Sequence, residues 1–142
     1  MWSQGVEPPN ADGTKTILII RRDKGRRLDH RYFDDAFGQA LEAGLPGYKV
    51  DWFTSSNHTL MHCLLCQVKR YQKADIILGA HGAGLSHLMW AKRGATVIEN
   101  LGGGGDSLIY AEMAFIFGLK YFPSTNFPVS EIVDIARYSV FG

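Results

Sequence analysis

The chain has 142 residues, enough for one compact domain, with 46% hydrophobic and 20% charged residues, an ordinary globular balance. A formal net charge of +1 gives no bulk electrostatic case for a nucleic-acid or anionic-lipid partner. No apolar run approaches the roughly 18 residues a membrane span needs. The start, Met1 to Lys15, is polar with two prolines and lacks the basic and apolar segments of a signal peptide. Residues 1–13 therefore read as a linker or cut end ahead of one domain over 14–142.

Residues 14–22, TKTILIIRR, form a short β-branched apolar run, the pattern of a buried strand. Residues 29–43 set Phe33, Phe37, Ala40 and Leu41 on one helical face, with Asp29 as N-cap and Gly44 as stop. A second strand follows at 48–54. A helix over 58–73 has Leu60, Leu64, Val68 and Tyr71 as its inner stripe. Strands at 75–79, 95–100 and 119–122 alternate with helices at 85–91, 106–118 and 130–140. The strands are continuous apolar runs, so both sheet faces are covered. Strand–helix alternation then predicts an α/β fold, a parallel sheet with helices on both faces. Gly102–Gly105 is the one low-complexity stretch, read as a flexible loop after the fourth strand.

Cys63 and Cys66 make a C-x-x-C, the pattern of a redox pair or half a zinc site. No second pair exists. His58, His62 and Cys66 share a helical face at i, i+4, i+8, which suits a metal. The simpler expectation, adopted here, is that both thiols pack as small hydrophobes on a buried helix and that no metal is held. Asn57-His58-Thr59 is a glycosylation triplet of a kind frequent by chance.

In open parallel sheets, ligands bind outside the carboxyl ends of the strands. Two sequence features fall on that edge. After the third strand comes Gly79-Ala80-His81-Gly82-Ala83-Gly84-Leu85. Free N–H groups of the following helical turn make an anion site, and glycines at 82 and 84 allow close backbone approach to a phosphate. His81 can donate to a phosphate or ribose oxygen, or act as a base. The same pattern also suits a tight strand–helix turn. It is neither the dinucleotide fingerprint nor the phosphate-cradling P-loop. After the first strand come five cations in seven residues, Arg21-Arg22-Asp23-Lys24-Gly25-Arg26-Arg27, and arginine grips phosphate oxygens in pairs. Glu99, ending the fourth strand, suits either a ribose hydroxyl or a structural ion pair.

The block ADIILGAHGAGLSHLMWAKRGATVIEN resembles the C-terminal motifs of glycosyltransferase family 61, through Ala74-Asp75, Gly79, His81-Gly82-Ala83-Gly84-Leu85, Ser86, His87, Gly94-Ala95 and Glu99. Ile20-Arg21-Arg22, Gln67-Val68, Tyr110-Ala111 and Gly118-Leu119-Lys120-Tyr121 are similar to flanking segments of that family, so the resemblance spans about residues 16–122. It implies the Rossmann-like C-terminal half of a GT-B arrangement that binds a nucleotide sugar, usually UDP-linked. Transfer to a protein hydroxyl or polysaccharide would invert the anomeric centre without metal or other cofactor. Arg21 or Arg22 would grip the diphosphate. His81, Gly82, Ala83, Gly84, Leu85 and Ser86 would lie against phosphates or sugar, Glu99 near the ribose or uracil, and His81 is the candidate base. The resemblance also implies an N-terminal half or partner chain, and a Golgi or endoplasmic reticulum setting. Ala91-Lys92-Arg93 departs from the leucine–proline turn usual there. The alternative reading is a stand-alone nucleotide- or carbohydrate-binding domain without catalysis. An exposed apolar patch favours the half-enzyme; a polar surface favours the independent domain.

Overall fold

The computed structural model describes residues 10–22, 33–101 and 108–141. The Asp23–Arg27 part of the basic run, the Asp29 cap and the 102–105 glycines lie outside them. Among the described residues five strands, β1 (Lys15–Arg21), β2 (Tyr48–Thr54), β3 (Ile76–Ala80), β4 (Thr96–Asn100) and β5 (Lys120–Ser124), pair in the order β2-β1-β3-β4-β5. Every pairing is parallel. The helices are α1 (Asp35–Gly44), α2 (His58–Met61), α3 (Leu64–Lys73), α4 (Ile109–Phe117) and α5 (Val129–Phe141), with a 3-10 helix over Ala83–Trp90.

Alternation along the strands builds two cores. Ile17, Ile19, Ile76, Leu78 and Ile98 face α1 and α5, meeting Leu41, Ile132 and Ala136. Leu18, Ile20, Ile77 and Val97 face the other way, against Leu60 and Tyr71 of α2 and α3, Leu85 and Leu88 of the 3-10 helix, and Ala114 of α4. The strands β1, β3 and β4 are apolar on both faces because both are covered. The β5 edge accommodates Pro123, opposite Glu99. The parallel α/β fold expected from the sequence is thus the fold observed.

The helices depart from expectation in four places. The cap of α1 is Asp34, whose carboxylate accepts the Phe37 N–H at 2.8 Å, and Ala40 faces solvent while Gly38 is buried. Gly44 is not a left-handed stop: a Cβ there would lie 2.8 Å from Val133 Cγ2, so its smallness lets α5 approach. The expected 58–73 helix is broken. Asn57 caps α2 through its Oδ1 to the Leu60 N–H, and Cys63 caps α3 through its Sγ to the Cys66 N–H. Two caps six residues apart interrupt what the apolar spacing reads as one helix, and Leu64 is left 63% exposed. Cys63 and Cys66 are joined as a disulfide rather than packed as buried thiols. Finally, the segment after β3 starts at Ala83 and is 3-10 rather than α. Its first internal bond is Leu85 N–H to the Gly82 carbonyl, 3.0 Å, while the Tyr71 hydroxyl donates to the Gly84 carbonyl at 2.5 Å.

Candidate functional site

The chain leaves β1 toward β2 on one side and β3 toward β4 on the other. The carboxyl ends of these two hydrogen-bonded strands are thus the switch point of the strand order, the place where open parallel sheets bind ligands. Both sequence-predicted features meet there. Arg22 follows β1, His81 follows β3, and Arg22 Nη2 donates to the His81 carbonyl at 3.4 Å.

Strand parity separates the two arginines. Arg21 shares the face of Ile17 and Ile19. Its Nη1 donates to the Phe33 carbonyl at 3.1 Å, and its guanidinium lies 4.9 Å from the Trp52 ring centroid. Arg22 turns to the opposite face, where the guanidinium lies over Gly82: a Cβ on that glycine would sit 2.9 Å from Arg22 Nη1.

The loop glycines divide the same way. A Cβ at Gly84 would meet Ile20 Cγ2 at 2.6 Å, and one at Gly79 would meet Leu85 Cδ2 at 3.0 Å. These two let the loop close on the hydrophobic face, while Gly82 clears space for a cation. Leu85, expected beside ligand, is a core residue at 1% exposure; Ser86 is exposed. Ala83 contributes backbone at the start of the 3-10 helix.

His81 is held at three points. Its backbone N–H donates to the Asn100 carbonyl at 3.0 Å, extending the β3–β4 ladder by one bond. Nδ1 lies 2.9 Å from Glu99 Oε2. The ring meets Tyr110 of α4 edge-on, centroids 5.1 Å apart. Glu99 is fully buried, and its other oxygen accepts the Tyr121 hydroxyl at 2.5 Å. In this arrangement the Glu99 carboxylate is turned inward to its neighbours and is not presented to a ribose. Burial and the adjacent carboxylate push the Tyr121 phenol well above its ordinary value, so it stays a donor. His87 packs instead against Tyr71 and Phe53.

Sequence reasoning missed Tyr110 and Tyr121 as site neighbours. Tyr121 is brought there by the sheet register, which the sequence does not show. It pairs in register with Val97, two residues before Glu99 on the same face of β4. Among the described residues no cluster of three or more histidine, cysteine or acidic groups could hold a metal ion. Lys92, in the segment that departs from the family turn, pairs with Asp75 at 2.6 Å on the far edge of the sheet.

No curated protein matches the chain. The family model described as Glycosyltransferase 61 matches residues 3–98, a span that runs from before β1 through the His81 loop and most of β4. With that match covering well over half of the sequence, and the motif loop lying at the carboxyl edge of a parallel α/β sheet, the chain belongs to the glycosyltransferase 61 family.

Proposed function

We propose that this chain is the donor-binding half of a glycosyltransferase, holding the diphosphate of a UDP-sugar between Arg22 and the 82–84 backbone for inverting, metal-independent transfer. The observation that carries this reading is the Arg22 guanidinium laid over Gly82 beside the first turn of the 3-10 helix, at the carboxyl edge of the sheet. A cation and a row of N–H groups there are the donor set a departing diphosphate needs as the glycosidic bond breaks. Parity gives the grip to Arg22, with Arg21 committed to Trp52 and Phe33. His81 stands beside the grip and takes the proton of the attacking hydroxyl on a protein or polysaccharide acceptor.

The outer face of α4 supports the half-enzyme form of the reading over the stand-alone domain. Leu108, Ile109, Phe115 and Ile116 are 50–86% exposed there, a run of large apolar groups suited to a second body.

Calorimetric titration with UDP and UDP-N-acetylglucosamine tests the proposal. Saturable binding is expected in the wild-type chain. Arg22→Ala weakens it about ten- to hundredfold, the scale of a charged hydrogen-bond partner, and Arg21→Ala leaves it within about twofold. No binding to the folded chain, or equal losses in both variants, overturns it.

A further inference from the structure

We infer that Glu99 and Tyr121 are positioning residues that lock the His81 ring as the Nδ1-protonated tautomer, leaving Nε2 as the proton acceptor. The inference rests on the donor-site reading above for its chemistry, and on the buried hydrogen-bond chain for its geometry.

Glu99 cannot act on a substrate directly. Its side chain is fully buried, and both oxygens are engaged, Oε2 by His81 Nδ1 at 2.9 Å and Oε1 by the Tyr121 hydroxyl. An ionised carboxylate only accepts hydrogen bonds. Tyr121 supplies one proton and the other comes from Nδ1–H. A neutral imidazole with its proton on Nδ1 carries its lone pair on Nε2. Among the described residues Nε2 has no hydrogen-bond partner, while the ring keeps 28% of its surface open.

Three neighbours keep the ring from turning over. Tyr110 packs against it from α4, the His81 N–H is tied to Asn100, and a flip would strand a buried carboxylate without one of its two donors. Among the described residues, the charged and titratable groups around the ring are Glu99 from β4, Tyr121 behind it from β5, Tyr110 from α4 and Arg22 beyond β1. Glu99 alone among them carries negative charge.

In the transfer step the acceptor oxygen bonds to the anomeric carbon as the carbon–oxygen bond to the diphosphate breaks. The bonding pair leaves with the diphosphate, and the hydroxyl proton passes to Nε2. The resulting imidazolium is stabilised by the Glu99 carboxylate 2.9 Å away, without a proton reaching Glu99.

Long-range proton–nitrogen NMR of the folded chain reads the tautomer directly, at a pH where the ring is neutral, with His81 assigned by its loss in His81→Gln. The expected wild-type pattern is a protonated Nδ1 and a bare Nε2. Glu99→Gln, whose amide can offer either oxygen or N–H₂ to the ring, turns this into a mixture of both forms. Tyr121→Phe, which removes the donor that fixes the Glu99 carboxylate, gives a smaller admixture of the second form than Glu99→Gln does. Glu99→Gln is expected to lower kcat at least about tenfold with KM within about twofold. A protonated Nε2 in the wild type overturns the inference, as does an unchanged tautomer in Glu99→Gln. If Glu99→Gln does not fold, the wild-type spectrum alone decides. Failure of the donor-site reading shows separately, as absence of UDP binding by a chain whose tautomer is as stated.

Discussion

Two carboxylates stand at opposite edges of the same sheet, and their surroundings differ in one respect. At the amino edge, Asp75 accepts the Thr16 N–H at 2.8 Å through Oδ2 and Lys92 Nζ at 2.6 Å through Oδ1. At the carboxyl edge, Glu99 is held by the Tyr121 hydroxyl and by His81. Each acid has one fixed donor and one basic partner. The ammonium of Lys92 carries donors only, so the amino-edge pair ties β1, β3 and the turn before β4 together and has no proton-accepting group left. The imidazole of His81 presents a second nitrogen beyond the pair. One pair is a clamp; the other is a clamp with a working end.

Substitutions at the two edges should therefore separate turnover from stability. His81→Ala is expected to cut donor turnover by about 10²–10⁴-fold, the contribution of a general base, with the melting temperature nearly unchanged. Asp75→Ala should do the reverse. It removes the partner of the Thr16 N–H and of Lys92, costing about 1–3 kcal/mol in urea unfolding, while the folded fraction keeps its activity. Matching losses of both kinds in both variants would erase the distinction.

The glycine pair sharpens it at smaller amplitude. Gly84→Ala drives a methyl to 2.6 Å from Ile20 and should destabilise by about 1–3 kcal/mol. Gly82→Ala meets only the far end of Arg22 at 2.9 Å. It should leave stability nearly intact and displace the guanidinium, so UDP affinity falls in calorimetry while the melting curve does not move.

The smallest expected effect is at the middle of β2. Burial raises the Asp51 carboxyl above its ordinary 3.8, against the pull of Arg70 and Lys73. A folded state that binds this proton more tightly than the unfolded chain is favoured by it at low pH. That contribution is full below 3.8 and is lost as pH rises through the raised value. Asp51→Asn should hold or slightly raise stability at neutral pH and flatten the stability profile above 3.8. A steep loss at neutral pH would mean that the Arg70 pair outweighs burial.

How much of this was written in the residue pattern varies by element. The runs Ile17–Ile20 and Ile76–Leu78 could only be strands covered on both faces, and they are. The break between α2 and α3 was hidden because Leu60 and Tyr71 keep helical spacing across it, and a cysteine cap gives no warning in periodicity. At α1, Asp29 and Asp34 both suit a cap, and the choice depends on where Phe37 sits against Phe33. The carboxyl-edge placement of Arg22 and His81 followed from strand ends alone. Parity along β1 also separates Arg21 from Arg22, once Ile17 and Ile19 are assigned to a face. The Glu99–His81–Tyr121 chain was out of reach because it joins three strands, and only the β3–β4–β5 register brings residues 18 and 22 positions from Glu99 against it.

The Cys63–Cys66 bond also has a consequence for how the chain meets its medium. A cross-link over two intervening residues removes less freedom from an unfolded polypeptide than a long loop does, about 2 kcal/mol, so its loss should lower the cooperative transition without abolishing it. What it governs is a corner, the bend where α2 hands over to α3. A reductant in the buffer therefore acts as a local loosener and not as a denaturant, and thiol reactivity can be followed on a molecule whose sheet stays intact.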